Sequence, residues 1–171
     1  MRLLNLLIFI SLSTSAQQSY IDYVSPYHPV VGKSGMVVSQ NNLSSDIGIE
    51  ILNKGGNAVD AAVAVGFSLA ITLPRAGNLG GGGFMLVYLK EKDEIFYIDY
   101  RSKSPLNSTI DNIFDLKGKT IKPKDFTNDM FDKTRYGYKA PAIPGTVAGL
   151  LEAHENFGKL PLEEVLAPAI R

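Results

Sequence analysis

Three unusual pieces stand in a fixed order between Lys54 and Arg101, and together they restrict what this chain can become. The first, Lys54-Gly55-Gly56-Asn57-Ala58-Val59-Asp60-Ala61-Ala62-Val63-Ala64, reads as a helix stop followed at once by a helix start. Gly55-Gly56 accepts the left-handed geometry of a C-terminal cap. Asn57 can cap the next helix by accepting from N–H groups two or three residues later, and Asp60 sits favourably at the positive end of its dipole. The second piece is Asn78-Leu79-Gly80-Gly81-Gly82-Gly83-Phe84-Met85, and the third is Asp99-Tyr100-Arg101.

The glycine run invites a phosphate-cradle reading, because successive N–H groups without side chains can wrap an anion. Its spacing argues against that. A dinucleotide fingerprint begun at Gly80 needs glycine where Met85 stands, and a P-loop needs Lys-Ser or Lys-Thr where the chain has Phe84-Met85. Two structural readings stay open: close approach of neighbouring backbone, or unusual φ/ψ at a turn.

Around these pieces the apolar pattern sketches the elements. Gly35–Ser39 is a short β-branched run suited to a buried strand. Leu43, Ile47, Ile51 and Leu52 recur at helical spacing, with Ser44 or Ser45 available as the cap. The alanine-rich helix after Asn57 shows small apolar residues on several faces, so it should be buried on more than one side until Pro74 stops it. Phe84–Leu89 and Ile95–Tyr100, separated by Lys90-Glu91-Lys92-Asp93-Glu94, read as a hairpin that returns Arg101 to the glycine end. Residues 103–138 are polar and poorly periodic, a long surface excursion rather than a new domain. A helix resumes after Pro144-Gly145-Thr146 and closes at Gly158; a last apolar-spaced segment runs from Pro161 to Arg171 without a capping glycine, as if interrupted.

Composition narrows the function classes. With 171 residues, 45% of them hydrophobic, the chain can bury the core of one domain. Lys+Arg and Asp+Glu balance at 17 each, so no single-sign field attracts nucleic acid or an anionic membrane. Cysteine is absent, which removes disulfides, thiolate chemistry and a lipid-bearing Cys. Met1-Arg2, the apolar run Leu3–Leu12 and the small residues Ser13–Ala16 read as a cleavable export signal, the run falling well short of the ~20 residues of a spanning helix. The expectation is cleavage after Ala16, no membrane anchor, and a periplasmic or secreted product. Residues 17–34 then form an extended lead-in.

Arg101 is the candidate binding residue. Its planar fork can grip a carboxylate through two parallel N–H···O bonds, which lysine cannot do; the alternative is an exposed ion pair with Asp99 or another neighbour. His28 and His154 lie far apart and no carboxylate spacing suggests a metal site; His154 reads as a surface or boundary residue beside Glu152 and Glu155. Glu163-Glu164 and Asp93-Glu94 are sequence neighbours that point different ways, so neither is a natural acid/base dyad.

The motifs Gly55–Ala61, Gly77–Met85, Asp99-Tyr100-Arg101 and Pro144-Gly145-Thr146-Val147-Ala148-Gly149 resemble the gamma-glutamyltranspeptidase family, over most of the chain from about Gly35. The resemblance implies an α+β fold, the four-layer αββα sandwich of N-terminal-nucleophile hydrolases, of which residues 35–171 would be an incomplete N-terminal portion of the large subunit. In such enzymes one precursor cuts itself into two subunits, and a threonine at the new N-terminus of the small subunit attacks the gamma-glutamyl amide. A free α-amino group, with a pKa of about 7.7 to 8, can take the hydroxyl proton near neutrality. That threonine is expected beyond Arg171, so the chain itself would hold no catalytic residue and be inactive alone. By the same resemblance Arg101 would bind the donor α-carboxylate, Tyr100 standing where many relatives carry phenylalanine. The implied partners are glutathione, other gamma-glutamyl compounds and the small subunit, with no cofactor and no metal. The implied activity is gamma-glutamyl transfer to water, amino acids or peptides; the alternatives are a beta-lactam side-chain acylase of the same fold, or a non-catalytic ligand-binding remnant.

Overall fold

The computed structural model describes residues 31–114 and 127–171, and those from Ser34 onward belong to one unit. The expected signal, residues 1–16, and most of the lead-in lie outside the described residues.

Helix α1, Asn42–Asn53, starts from Asn41, whose side chain accepts the Leu43 N–H at 2.9 Å. Neither Ser44 nor Ser45 is the cap. Ser44 is fully buried, its hydroxyl 2.8 Å from that of Ser68 and 2.7 Å from that of Thr72, while Ser45 meets Ser39 at 2.8 Å. Asparagine caps as well as serine and stands at the residue just ahead of the helix. At the other end Gly55 adopts φ 90, its N–H bonding to Leu52 O and that of Gly56 to Ile51 O, the paired bonds of a Schellman cap.

Helix α2, Ala58–Thr72, opens with a capping box: Asn57 accepts from Val59 and Asp60 N–H, both at 2.9 Å, and Asp60 accepts from Asn57 N–H at 2.9 Å. It is the central helix, with Val59, Ala61, Val63, Ala64, Val65 and Ser68 all buried. Small side chains let neighbours approach from several sides at once, as the alanine-rich pattern predicted.

Strand β1, Phe84–Leu89, pairs antiparallel with β2, Glu94–Asp99, in the register Phe84↔Asp99 to Leu89↔Glu94. Asp93 takes φ 52 in the turn, a conformation aspartate tolerates, and its carboxylate accepts from the Tyr88 hydroxyl at 3.0 Å. Successive side chains alternate between faces. Val87 and Ile98 are buried against the helices with Met85 and Phe96 beside them, whereas Phe84, Leu86, Tyr88, Ile95 and Tyr97 are exposed.

The expected strand at Gly35–Ser39 does not form. A strand needs a ladder partner, and among the described residues this segment has none. Val37 packs instead on α1 at Gly48, where a Cβ would lie 2.7 Å from its methyl, and Met36 and Val38 are exposed.

Within the excursion two short helices, α3 (Ile110–Phe114) and α4 (Asn128–Arg135), pack on each other, and residues 115–126 lie outside the described residues. Its base is closed where Lys103 and Ile143 exchange backbone bonds of 3.1 and 2.8 Å. Helix α5, Thr146–Phe157, ends at Gly158, and α6, Leu162–Ile170, starts from Pro161. Both pack on α2, so Ile51, Val63, Ala64, Leu150, Ala153 and Val165 meet in one core. Phe157 closes it against Phe96, ring centroids 5.0 Å apart.

Candidate functional site

The distant glycine motifs converge on the end of β2. Gly83 and Tyr100 extend the ladder by exchanging bonds of 3.3 and 3.1 Å. A Cβ on Gly82 would lie 2.6 Å from Tyr100 O and collide with Ser102 N, one on Gly145 would run into Tyr100 O, and one on Gly149 would overlap Tyr100 Cβ and Cγ. Close approach is thus the reason for Gly82, Gly83, Gly145 and Gly149, whereas a Cβ on Gly80 or Gly81 would meet nothing nearer than 3.2 Å. The positive-φ glycines among the described residues are Gly55 and Gly137, so the Gly80–Gly83 run is not there for left-handed turns.

Helix α5 has no side-chain cap; its Gly145 and Thr146 N–H groups reach Gly81 O at 2.8 and 3.2 Å. Two donors that a helix start leaves without partners are satisfied by the glycine run itself. Glycine run, strand end and helix start form one knot around Tyr100 and Arg101.

Arg101 leaves this knot exposed. The ion pairs among the described residues join Glu50 to Lys54 and Arg171, and Asp129 to Lys133, and none involves Arg101. Asp99 is occupied differently from the ion-pair reading: its Oδ1 accepts the Arg101 backbone N–H at 3.0 Å. Desolvation first, and then the Asp99 charge, push the Tyr97 phenol above its ordinary pKa. Burial does the same to the half-buried Tyr100.

Two clefts among the described residues flank this region. One of about 610 Å³ runs between residues 34–38, α2 and Tyr100, and another of about 360 Å³ follows β1 from Met85 to Leu89. Arg101 lines neither.

A buried polar cluster was not visible from sequence. Asp60 is fully buried and, beyond its capping role, accepts from Lys159 N–H at 3.0 and 3.1 Å and from Leu160 N–H at 3.3 Å. Asn57 Nδ2 donates to Phe157 O at 2.6 Å. His154 Nε2 lies 2.9 Å from Leu160 O and 3.7 Å from Asp60 Oδ1, so the boundary histidine belongs to this cluster. Gly55-Gly56-Asn57 pointed only to local capping; a partner about 100 residues away leaves no spacing signal. His28 lies outside the described residues. No group of three or more His, Cys, Asp or Glu among the described residues could hold a metal ion.

The arrangement matches solved structures of one class. The gamma-glutamyltranspeptidase of Helicobacter pylori superposes with a TM-score of 0.71 at 39% identity, over 83% of this chain and 38% of that one. The fold is therefore α+β of the N-terminal-nucleophile hydrolase type, of which the described residues supply helices and one hairpin. Residues 44–171 match the family model of gamma-glutamyltranspeptidase. The glutathione hydrolase proenzyme of Escherichia coli (strain K12) is 43% identical over 145 residues, which cover 85% of this chain and 23% of that protein. The acylase ACY 1 proenzyme of Pseudomonas sp. (strain V22) is 40% identical over 149 residues, 87% of this chain and 26% of that protein. The chain belongs to the gamma-glutamyltranspeptidase family. It spans about a quarter of the length of these curated relatives.

Proposed function

We propose that this chain is the donor-holding segment of a gamma-glutamyltransferase and glutathione hydrolase, with Arg101 binding the α-carboxylate of the gamma-glutamyl group. The observation that carries the reading is the pairing at Arg101: its backbone is held by Asp99 while its guanidinium has no ion pair among the described residues. A planar fork on an anchored strand end suits a carboxylate presented in one orientation. Holding that unreactive end of the donor converts its binding energy into placement of the amide to be cut.

Attack would come from a threonine outside these residues, at an N-terminus exposed when the precursor is processed, its own α-amino group taking the proton. The acyl-enzyme so formed passes the glutamyl group to water, an amino acid or a peptide. The proenzyme names of the relatives support a processed precursor, and the small subunit is the partner of this segment. The leader Met1–Ala16 supports export, with cleavage after Ala16 delivering the mature enzyme to the periplasm or medium.

Kinetics of the processed enzyme on a gamma-glutamyl anilide test the reading. Arg101→Ala should lower kcat/KM by about a hundredfold or more, the loss of a charge-assisted bidentate contact, and Arg101→Lys should recover only part of it. Unchanged turnover in both variants overturns the assignment. The same assay with beta-lactam side-chain amides separates transferase from acylase.

A further inference from the structure

We infer that Asp99 is the positioning residue for Arg101, holding the guanidinium in place through a backbone hydrogen bond; the inference rests on the carboxylate-binding reading of Arg101. Up to Tyr100 the chain is fixed by the ladder to Gly83, and from Lys103 it is fixed by Ile143. Between these anchors lie Arg101 and Ser102. The Asp99 Oδ1 to Arg101 N–H bond, 3.0 Å long, is the hydrogen bond that the Arg101 backbone makes among the described residues. It closes an Asx turn, the local bond by which aspartate mimics a backbone turn.

The leverage is large because the arginine stem is long. A backbone rotation of about 10° moves a guanidinium about 7 Å from its Cα by roughly 1 Å, the scale at which positioning in an active site fails. The bond engages one carboxylate oxygen, and no ion pair joins the Asp99 and Arg101 side chains. An aspartate two residues from an arginine on an exposed strand end is well placed to neutralise it, yet here it accepts the arginine's backbone N–H and the guanidinium is not paired with it.

Positioning and simple electrostatics predict opposite signs. Removing the negative charge of an exposed Asp99 should, by Coulomb attraction alone, tighten binding of a carboxylate donor by less than about fivefold. Losing the turn should weaken it.

The test is steady-state kinetics of the processed enzyme, with amide exchange at Arg101 followed by NMR. Asp99→Ala should raise KM for a gamma-glutamyl donor about tenfold with a smaller change in kcat, and should speed exchange of the Arg101 N–H. Asp99→Asn, which keeps the acceptor oxygen but not the charge, should stay within about twofold of the parent, and Asp99→Ser, with a shorter acceptor, should fall between. A donor built on 4-aminobutyrate, which lacks the α-carboxylate, should be indifferent to all three. A lower or unmoved KM in Asp99→Ala, while Arg101→Ala still raises it, overturns the inference and leaves the carboxylate reading standing. If Arg101→Ala also changes nothing, the carboxylate reading fails and the role of Asp99 fails with it. Equal losses in Asp99→Ala and Asp99→Asn would show that the acceptor oxygen of the turn is not what holds Arg101 and overturn positioning.

Discussion

Lys159 donates its backbone N–H to both carboxylate oxygens of Asp60, at 3.0 and 3.1 Å, across 99 residues of chain. One fully buried side chain thereby caps α2 and fastens the loop between α5 and α6 to that cap.

Removing it strands several donors at once. Asp60→Ala leaves the Asn57, Lys159 and Leu160 N–H groups without their acceptor, and an unsatisfied buried group costs about 1–3 kcal/mol. The expected loss of stability is about 3 kcal/mol or more, read from urea unfolding of the purified protein. A loss under about 1 kcal/mol would show that water replaces the carboxylate and that the cluster is not structural.

Asn57 shares the cluster. Asn57→Ala removes both the cap and the 2.6 Å bond to Phe157 O, for an expected cost of about 1–2 kcal/mol. Because Asn57 and Asp60 act on the same junction, the double variant should lose less than the sum of the two, with a coupling of about 0.5 kcal/mol or more. Strict additivity in a double-mutant cycle would mean that the two residues hold different things.

Gly149→Ala sets two effects against each other. Alanine favours a helix interior by about 1 kcal/mol over glycine, but its methyl would overlap Tyr100 Cβ and Cγ, and overpacking costs about 1–3 kcal/mol. The net expectation is destabilisation, since the obstacle is the root of the ring rather than a mobile tip. A raised melting temperature in Gly149→Ala would show that β2 shifts freely against α5.

Tyr100 gives stability an alkaline limit. Burial raises its pKa above the ordinary value of about 10, so around and above pH 10 the unfolded chain binds fewer protons than the native one. The stabilisation is complete below the unfolded pKa and is lost as pH rises through the folded value. Tyr97, raised in the same direction, adds to the trend. Urea midpoints between pH 9 and 11 should fall less steeply in Tyr100→Phe than in the parent; identical slopes would remove Tyr100 as the source.

Much of this architecture could be read from local patterns. The Gly55 stop, the Asn57 cap, the hairpin from Phe84 and the Gly158 terminus each depend on residues within a few positions of one another, and the structure contains all four. Pattern and structure part where a distant partner decides the outcome. Ser44 looked like a cap but serves Ser68 and Thr72, Gly35–Ser39 had strand composition but no ladder to join, and Leu43 matched the helical spacing yet remains 65% exposed. The glycine run was recognisable as unusual, but its partners Tyr100, Arg101 and Ser102 lie about twenty residues on and could not be paired with it by pattern alone. For Arg101 the sequence allowed both an ion pair with Asp99 and a free fork, and the lack of an Arg101 ion pair among the described residues distinguishes them.

The span between Asp60 and Lys159 also sets a timetable for synthesis. A ribosome adding about 5–20 residues per second makes Asp60 several seconds before Lys159 exists. Burial of the Asp60 carboxylate against these long-range donors therefore cannot precede synthesis of the loop between α5 and α6, whatever the compartment in which the chain finally folds.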